Sequence, residues 1–264
     1  MITKITSDYV VNLIKHGKRF DKRKLDEMRP LKIEYMVSKN AEGSARVTLG
    51  KTVVIAGVKL DLATPYPDSP DEGTLTTSAE FLTIAAPEFE AGLPGQEAVE
   101  LARVVDRGIR EGHAIDLKKL CIVHGEKVWM VFLDVLIINH DGNLIDAAGI
   151  AALAAIRNAK MPKLVIDGET YKVDRTSERK EPLPLSDMPI PITVRKNGEA
   201  HLVDTTAIEE DSISGRLTIT TKANGNICAI QQGGTNAFTP EEIDSVVAIS
   251  QKMGKKIHDE FFSE

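Results

Sequence analysis

The chain has 264 residues, 42% of them hydrophobic and 27% charged, and a formal net charge of −6. That length and composition suit one large or two small globular domains, and no apolar run approaches the roughly 18 residues needed to cross a bilayer. A net negative chain is no general coat for nucleic acid, so any polyanion contact must come from a local basic patch.

Taken in chain order, residues 7–16 have helical spacing (Val10, Val11, Ile14) and lead into a charged arm at 18–29, which mixes both signs and ends at Pro30. The pattern predicts strands at 31–37, 44–49 and 52–60, with Gly43-Ser44 and Gly50-Lys51 as turns. Residues 64–77, with Pro65, Pro67, Pro70 and Gly73, read as a loop, and 81–86 as another strand. After a helix at 99–111 come apolar runs at 119–123 and 128–139, joined as a hairpin through His124-Gly125-Glu126. Asp141-Gly142-Asn143 then turns into an Ala-rich helix at 146–159. Further strands are expected at 163–166, 191–195, 200–204, 216–221 and 226–231. Thr239, Pro240 and Glu242 give the last helix an N-cap, a first-turn proline and a capping box, with Ile243, Val246, Val247, Met253 and Ile257 as its inner stripe. The order implies an α+β chain forming one domain over 1–264: an arm to about residue 30, then two similar β–α modules near 31–160 and 163–264.

Residues 99–111, Val-Glu-Leu-Ala-Arg-Val-Val-Asp-Arg-Gly-Ile-Arg-Glu, carry two messages. On a helix, Arg103, Arg107 and Arg110 share an arc of roughly 60°, opposite Leu101, Ala102, Val105 and Ile109. The planar, always-charged guanidinium fits phosphate oxygens, so the row suits a phosphate track. The same stretch also spaces Glu100 with Arg103, Asp106 with Arg110 and Arg107 with Glu111 as ordinary surface ion pairs.

Other chemistry is sparse. The six histidines are scattered, none at a metal-ligand spacing with Cys, Asp or Glu, so no metal or cofactor is expected. Cys121 and Cys228 lie in apolar runs without a CxxC, as buried, reduced thiols of a cytoplasmic protein would. The start, Met1-Ile2-Thr3-Lys4, has no apolar signal core. There is no phosphate-binding glycine loop of the Walker or dinucleotide type, and Gly233-Gly234 suits either a turn or an anion contact. Asp187, in Leu-Ser-Asp-Met-Pro, fits a turn residue, a magnesium ligand or a general acid.

Four segments in order carry a resemblance. Residues 19–30 (RFDKRKLDEMRP) are similar to the R-x-D-G-R-x-x-x-E-x-R-P arm of the RNase PH family. Residues 43–58 (GSARVTLGKTVVIAGV) resemble its first strands, 133–148 (LDVLIINHDGNLIDAA) its central strand and Ala-rich helix, and 186–192 (SDMPIPI) its second-half strand. The resemblance runs from about residue 10 to the C-terminus and implies the RNase PH-like fold, two similar modules in one domain. Active members shorten RNA from its 3′ end by phosphorolysis, in which inorganic phosphate attacks the terminal linkage and a nucleoside diphosphate leaves.

This chain departs from active members at three places. The paired arginines that grip phosphate before the second helix fall at Gln96 and Glu97, and a glutamate repels the anion. Their Gly-Thr-Arg after the Asp-Gly turn is replaced by Asn143-Leu144-Ile145. Of their acidic pair Asp187 is kept, while the earlier position falls near Glu181, a vestigial acidic site. Phosphorolysis consists largely of holding two polyanions together, so this loss removes its main term and implies a chain inactive alone. On 99–110 and on 128–135 (VWMVFLDV) the pattern most resembles the non-catalytic branch of the family, a ring subunit of the archaeal exosome. That resemblance implies a hexameric ring, a trimer of heterodimers with a catalytic RNase PH-like sister, under RNA-binding cap subunits and with no membrane partner. In it this chain would supply Arg103, Arg107 and Arg110 to single-stranded RNA near the sister's active site. The alternatives are an autonomous phosphate-dependent 3′-to-5′ exoribonuclease and a purely structural ring member that never touches RNA.

Overall fold

The computed structural model describes residues 3–168 and 170–263. Helix α1 (Lys4–Lys15) starts three residues earlier than its apolar spacing suggests, because Thr3 caps it: the Thr6 amide donates to the Thr3 hydroxyl at 3.2 Å. Val10 and Ile14 are its buried residues. The arm that follows is irregular but not loose. Arg19, fully buried, donates from Nη2 and Nε to the two oxygens of Glu209 at 2.6 and 2.8 Å, and from Nη1 to the Val203 carbonyl at 2.9 Å. Arg29, at the end of the arm, is buried in the same way against Asp204.

The first half builds a six-stranded sheet from β1 (Leu31–Tyr35), β2 (Gly43–Leu49), β3 (Thr52–Ala63), β4 (Thr74–Phe81), β5 (Cys121–Val123) and β6 (Lys127–Asn139). Its order is β1-β2-β3-β6-β4, with β5 also on β6; β4 runs parallel to β6 and the other pairs are antiparallel. Strand β3 alternates with period two, and Val54, Ala56, Val58 and Leu60 line its inner face. The expected 64–77 loop is shorter than read and the expected strand at 81–86 is a turn. Strand β4 instead occupies the threonine-rich 74–81, where pairing with β6 outweighs weak local hydrophobicity.

Helices α2 (Gln96–Glu111) and α3 (Leu144–Arg157) cover this sheet. All residues of α3 from Ile145 to Ile156 are buried, because it lies between β2 and β3 on one side and the second half of the chain on the other. Such a sandwich demands small residues. A Cβ on Gly43 would collide with the Ala155 carbonyl and with Ala159, and one on Gly149 with the Pro191 ring.

A hairpin of β7 (Lys163–Asp167) and β8 (Thr170–Asp174), the latter unforeseen, stands apart as its own two-stranded sheet. Beyond it β9 (Ile190–Asn197), β10 (Ala200–Val203), β11 (Gly215–Thr221) and β12 (Ile227–Gly233) form an antiparallel sheet ordered β10-β9-β11-β12. Pro191 is tolerated in β9 because β10 pairs only with Val194–Asn197 and leaves that end of the strand uncovered. The short helix α4 (Ala207–Ser212) was also unforeseen, although Thr206-Ala-Ile-Glu209 is a capping box. Helix α5 (Pro240–Ile257) has the expected box: Thr239 N donates to Glu242 Oε2 at 2.7 Å, and Glu242 N to Thr239 Oγ1 at 3.3 Å. Val246, Met253 and Ile257 are buried as expected, whereas Ile243 and Val247 are only half-buried. One hydrophobic core runs from Val54 and Leu133 through Ile150 to Ile192, Ile219 and Val246, so both sheets share one interior in an α+β fold, and a smaller cluster of Val10, Ile14, Leu202 and Ile213 holds α1. Cys121 and Cys228 are free thiols but half-buried rather than buried.

Replacing Arg19 by Leu leaves the Glu209 carboxylate buried without its cation and should cost about 3–5 kcal/mol. Adding Glu209→Gln should recover more than half of that loss, because a neutral amide replaces the stranded charge. Urea unfolding of the two variants beside the wild type checks both values.

Candidate functional site

Helix α2 buries Ala98, Leu101, Ala102, Val104, Val105, Gly108 and Ile109 and turns its arginines outward. Arg103 and Arg107 are exposed, about 6 Å apart along the axis, and neither makes a hydrogen bond or ion pair among the described residues. Arg110 differs. Its Nε and Nη2 donate to the two Asp106 oxygens, both at 3.0 Å, and Nη2 also donates to the Leu75 carbonyl at 2.9 Å. The Asp106 hydrogen bond, opposed by partial burial, raises the Arg110 pKa. Of the three spacing-based ion pairs, only Asp106–Arg110 forms, and Glu100 pairs with Arg216 across the chain instead. The row is two free guanidiniums and a third tied to the edge of β4.

Beside the N-terminal half of α2 lies an open cleft of about 560 Å³, walled by Phe81, Phe89 and His140, and by Thr193 and Ala207 of the second half. Five carboxylates (Glu88, Glu97, Glu100, Glu210 and Asp211) line it against two arginines, Arg195 and Arg216. Both arginines are already paired, Arg195 Nη2 with Glu210 at 3.1 Å and Arg216 with Glu100. Glu88 and Glu97 make no ion pair among the described residues, so the cleft carries a negative field that opposes an inorganic anion.

Behind the cleft a buried polar chain joins the halves. Asn143, left-handed at φ 52°, donates from Nδ2 to Asp204 Oδ1 and to Asp146 Oδ2, both at 3.0 Å. Arg29 donates to both Asp204 oxygens at 2.6 and 2.9 Å and to the Asp141 carbonyl at 2.6 Å. Burial pushes the Asp204 carboxyl up, but the hydrogen bonds and charge of Arg29 reverse this and hold it below the usual carboxylate range. Asp146 has no such cation. Burial raises its pKa to about 7, only partly countered by donors from Thr193 and Asn143. Sequence reasoning passed over Asp204, Glu209 and Asp146; for Asp146 the signal was a lone carboxylate in an otherwise apolar helix.

Asp187 and Glu181 are not brought together at this cleft. Asp187 Oδ1 accepts from the Met188 and Ala223 amides at 2.7 and 3.1 Å, the work of a turn residue. Its neighbour Ser186 donates to the Ala114 carbonyl at 3.0 Å, just past the C-terminus of α2. Since α2 is about 24 Å long, Asp187 sits at the far end of the helix from the cleft. Glu181 is exposed, its carbonyl accepting from Met161 N at 2.7 Å, and Pro182 bridges Lys160. Gly234, at φ 80°, occupies a turn after β12.

Residues 27–162 match the 3′ exoribonuclease family, domain 1, and residues 187–253 match its domain 2. The chain belongs to the RNase PH family. It is 46% identical over 257 residues to "Exosome complex component Rrp42" of Pyrococcus horikoshii, covering 97% of this chain and 93% of that protein. Against the protein so described from Thermococcus onnurineus the identity is 49%, over 92% of this chain and 89% of that one. A chain of the "archaeoglobus fulgidus exosome with RNA bound to the active site" superposes with a TM-score of 0.86 at 39% identity, covering 97% of this chain and 98% of that chain. A chain of an "Archaeal exosome core" superposes at 0.85 and 38% identity, covering 98% and 97%. In this RNase PH chain, two of the three sequence departures meet in space: Glu97 and the 143–145 stretch line the same acidic cleft.

The Asp146 carboxyl gives the fold a testable pH signature. Its folded pKa lies above the unfolded value of 3.8, so the folded state keeps a proton that the unfolded state has lost. Stability should therefore fall as pH rises from about 4 to 7 and then level off. Asp146→Asn should abolish that slope, and its stability relative to wild type should be higher at pH 8 than at pH 4. Unfolding midpoints of both proteins across this range check the sign.

Proposed function

We propose that this chain is the non-catalytic, RNA-guiding ring subunit of an archaeal-type exosome, a cytoplasmic 3′-to-5′ phosphorolytic exoribonuclease complex. It alternates with a catalytic RNase PH-like sister in a trimer of heterodimers beneath RNA-binding caps, and single-stranded RNA lies against α2. The observation that carries this reading is the division of charge on that helix. Arg103 and Arg107 are exposed with no hydrogen-bond or ion-pair partner among the described residues, while Glu97 and Glu100 line the cleft where active family members are expected to grip phosphate. An unpaired guanidinium row suits a phosphodiester backbone, and an acidic cleft does not suit an attacking phosphate. Arg110, already hydrogen-bonded to Asp106 and to Leu75, contributes chiefly by holding α2 on β4.

The purified chain with RNA and inorganic phosphate should release no nucleoside diphosphate, and adding a catalytic sister subunit should bring release. Release by the chain alone, abolished in Asp187→Asn, would establish an autonomous enzyme instead.

Within the ring, Arg103→Glu with Arg107→Glu should slow RNA decay by at least about tenfold without preventing assembly, since two phosphate contacts become repulsions. Arg110→Ala should cost about 1 kcal/mol of stability and affect decay far less. Decay by the double-glutamate ring at the wild-type rate would leave this chain as a structural member without RNA contact.

A further inference from the structure

On the exposed edge of α2, Arg103 has one acid three residues before it and another three residues after it. That spacing on a helix brings two side chains within pairing range, with their Cβ atoms about 6 Å apart. Glu100, on the N-terminal side of the cation, stands in the orientation that also suits the helix dipole. Yet neither acid pairs with Arg103. Asp106 Oδ1 accepts from the Thr77 hydroxyl at 3.1 Å and from Arg110 Nη2 at 3.0 Å, and its Oδ2 accepts from Arg110 Nε at 3.0 Å. Glu100 Oε1 accepts from Nη2 of Arg216, which comes from β11 in the other half of the chain.

The reach of Arg216 is built into its sheet. Its cross-strand partner in β12 is Gly233, and a Cβ at that position would fall on the guanidinium. The side chain passes over this glycine toward α2 and is only 14% exposed. Its Nε is buried without a hydrogen-bond partner, so among the described residues Glu100 is the group that holds this guanidinium. A carboxylate released by Arg216 would have Arg103 beside it at helical spacing. An arginine paired with an acid of its own helix must surrender that pair to take a phosphate, and the acid repels the incoming backbone. We propose that Arg216 is a positioning residue: by holding Glu100 across the chain, it keeps the Arg103 guanidinium free for an RNA phosphate. This rests on the RNA-guiding reading above and names what keeps that site open.

The pair can be broken from either side, and the two breaks have opposite consequences. Binding of a fluorescent oligoadenylate by the ring reconstituted with its catalytic sister is followed by anisotropy at fixed salt. Arg216→Ala releases the carboxylate and should weaken binding about threefold. Gly233→Ala pushes the guanidinium aside with every charge still present, and should do the same. Glu100→Gln breaks the same pair but leaves no carboxylate to release. It should bind at least as tightly as wild type and should restore affinity to Arg216→Ala. In an Arg103→Ala background, Arg216→Ala should have no further effect. Equal weakening by Glu100→Gln and Arg216→Ala would reduce the pair to a clamp on α2 and overturn the positioning role. So would wild-type affinity in either Arg216→Ala or Gly233→Ala, or a loss in Arg216→Ala that persists without Arg103. Wild-type affinity in Arg103→Ala with Arg107→Ala would instead bring down the RNA-guiding reading itself.

Discussion

Asp204 is the group on which the arrangement of this molecule turns. Its carboxylate is inaccessible to water and accepts from the Arg29 side chain and backbone, from Arg23 and from Asn143. Those donors come from the N-terminal arm and from the turn before α3, while Asp204 itself follows β10 in the second half. A buried carboxylate is tolerable only with a cation and enough donors, so each of these segments must be present and correctly placed for the others to be stable. Arg19 and Glu209 repeat the arrangement five residues further along the second half, in the first turn of α4. The arm is therefore a polar strap across the two halves, and it holds the elements that wall the cleft.

Helix α3 imposes the complementary apolar constraint. With both sheets against it, its surface must be small and smooth, which Ala and Gly supply, and its single acid, Asp146, must find donors inside the core. Asn143 serves both constraints. Its left-handed backbone starts α3, its amide nitrogen bridges Asp146 and Asp204, and its main-chain N–H donates to Glu210 at 3.0 Å. Asn143 is thus committed to holding the fold.

Legibility in the sequence followed the range of the interactions. Helix α5 was readable almost to the residue because its cap, proline and stripe are all local. The α2 face was readable too, since 3.6-residue periodicity sorts Leu101 and Ile109 from Arg103 and Arg107 without knowledge of neighbours. Strand β4 was not, because its threonines become a strand only against β6, some 56 positions later. The buried fate of Arg19 and Arg29 depends on acids 190 and 175 positions away, so a charged arm could only be read as irregular. At the site, the pairing of Asp106 with Arg110 was legible as a spacing, whereas the third partner, the Leu75 carbonyl, was not. The separation of Asp187 from Glu181 was not legible, because linear distance says nothing of direction. The intervening chain runs extended, from a bridge beside Lys160 to one beside Ile115, carrying the two carboxylates apart.

The opposed charges of α2 can act independently only if they do not cancel one another. Glu97 and Arg107 are ten residues apart, about 15 Å along the axis. The screening length at physiological salt is about 8 Å, so the field of the unpaired glutamate is largely spent before it reaches the second arginine. Arg103 lies nearer, about 9 Å from Glu97 by the same rise, and the intervening acid that most directly faces it, Glu100, is drawn across the chain to Arg216. That cross-chain ion pair has a consequence beyond holding β11 to α2: it removes the carboxylate that would otherwise neutralise Arg103 at helical spacing. An anion repelled at the cleft and an anion held at the row are then compatible on one helix. The sharing of charge between Glu100 and Arg216 is what keeps them so.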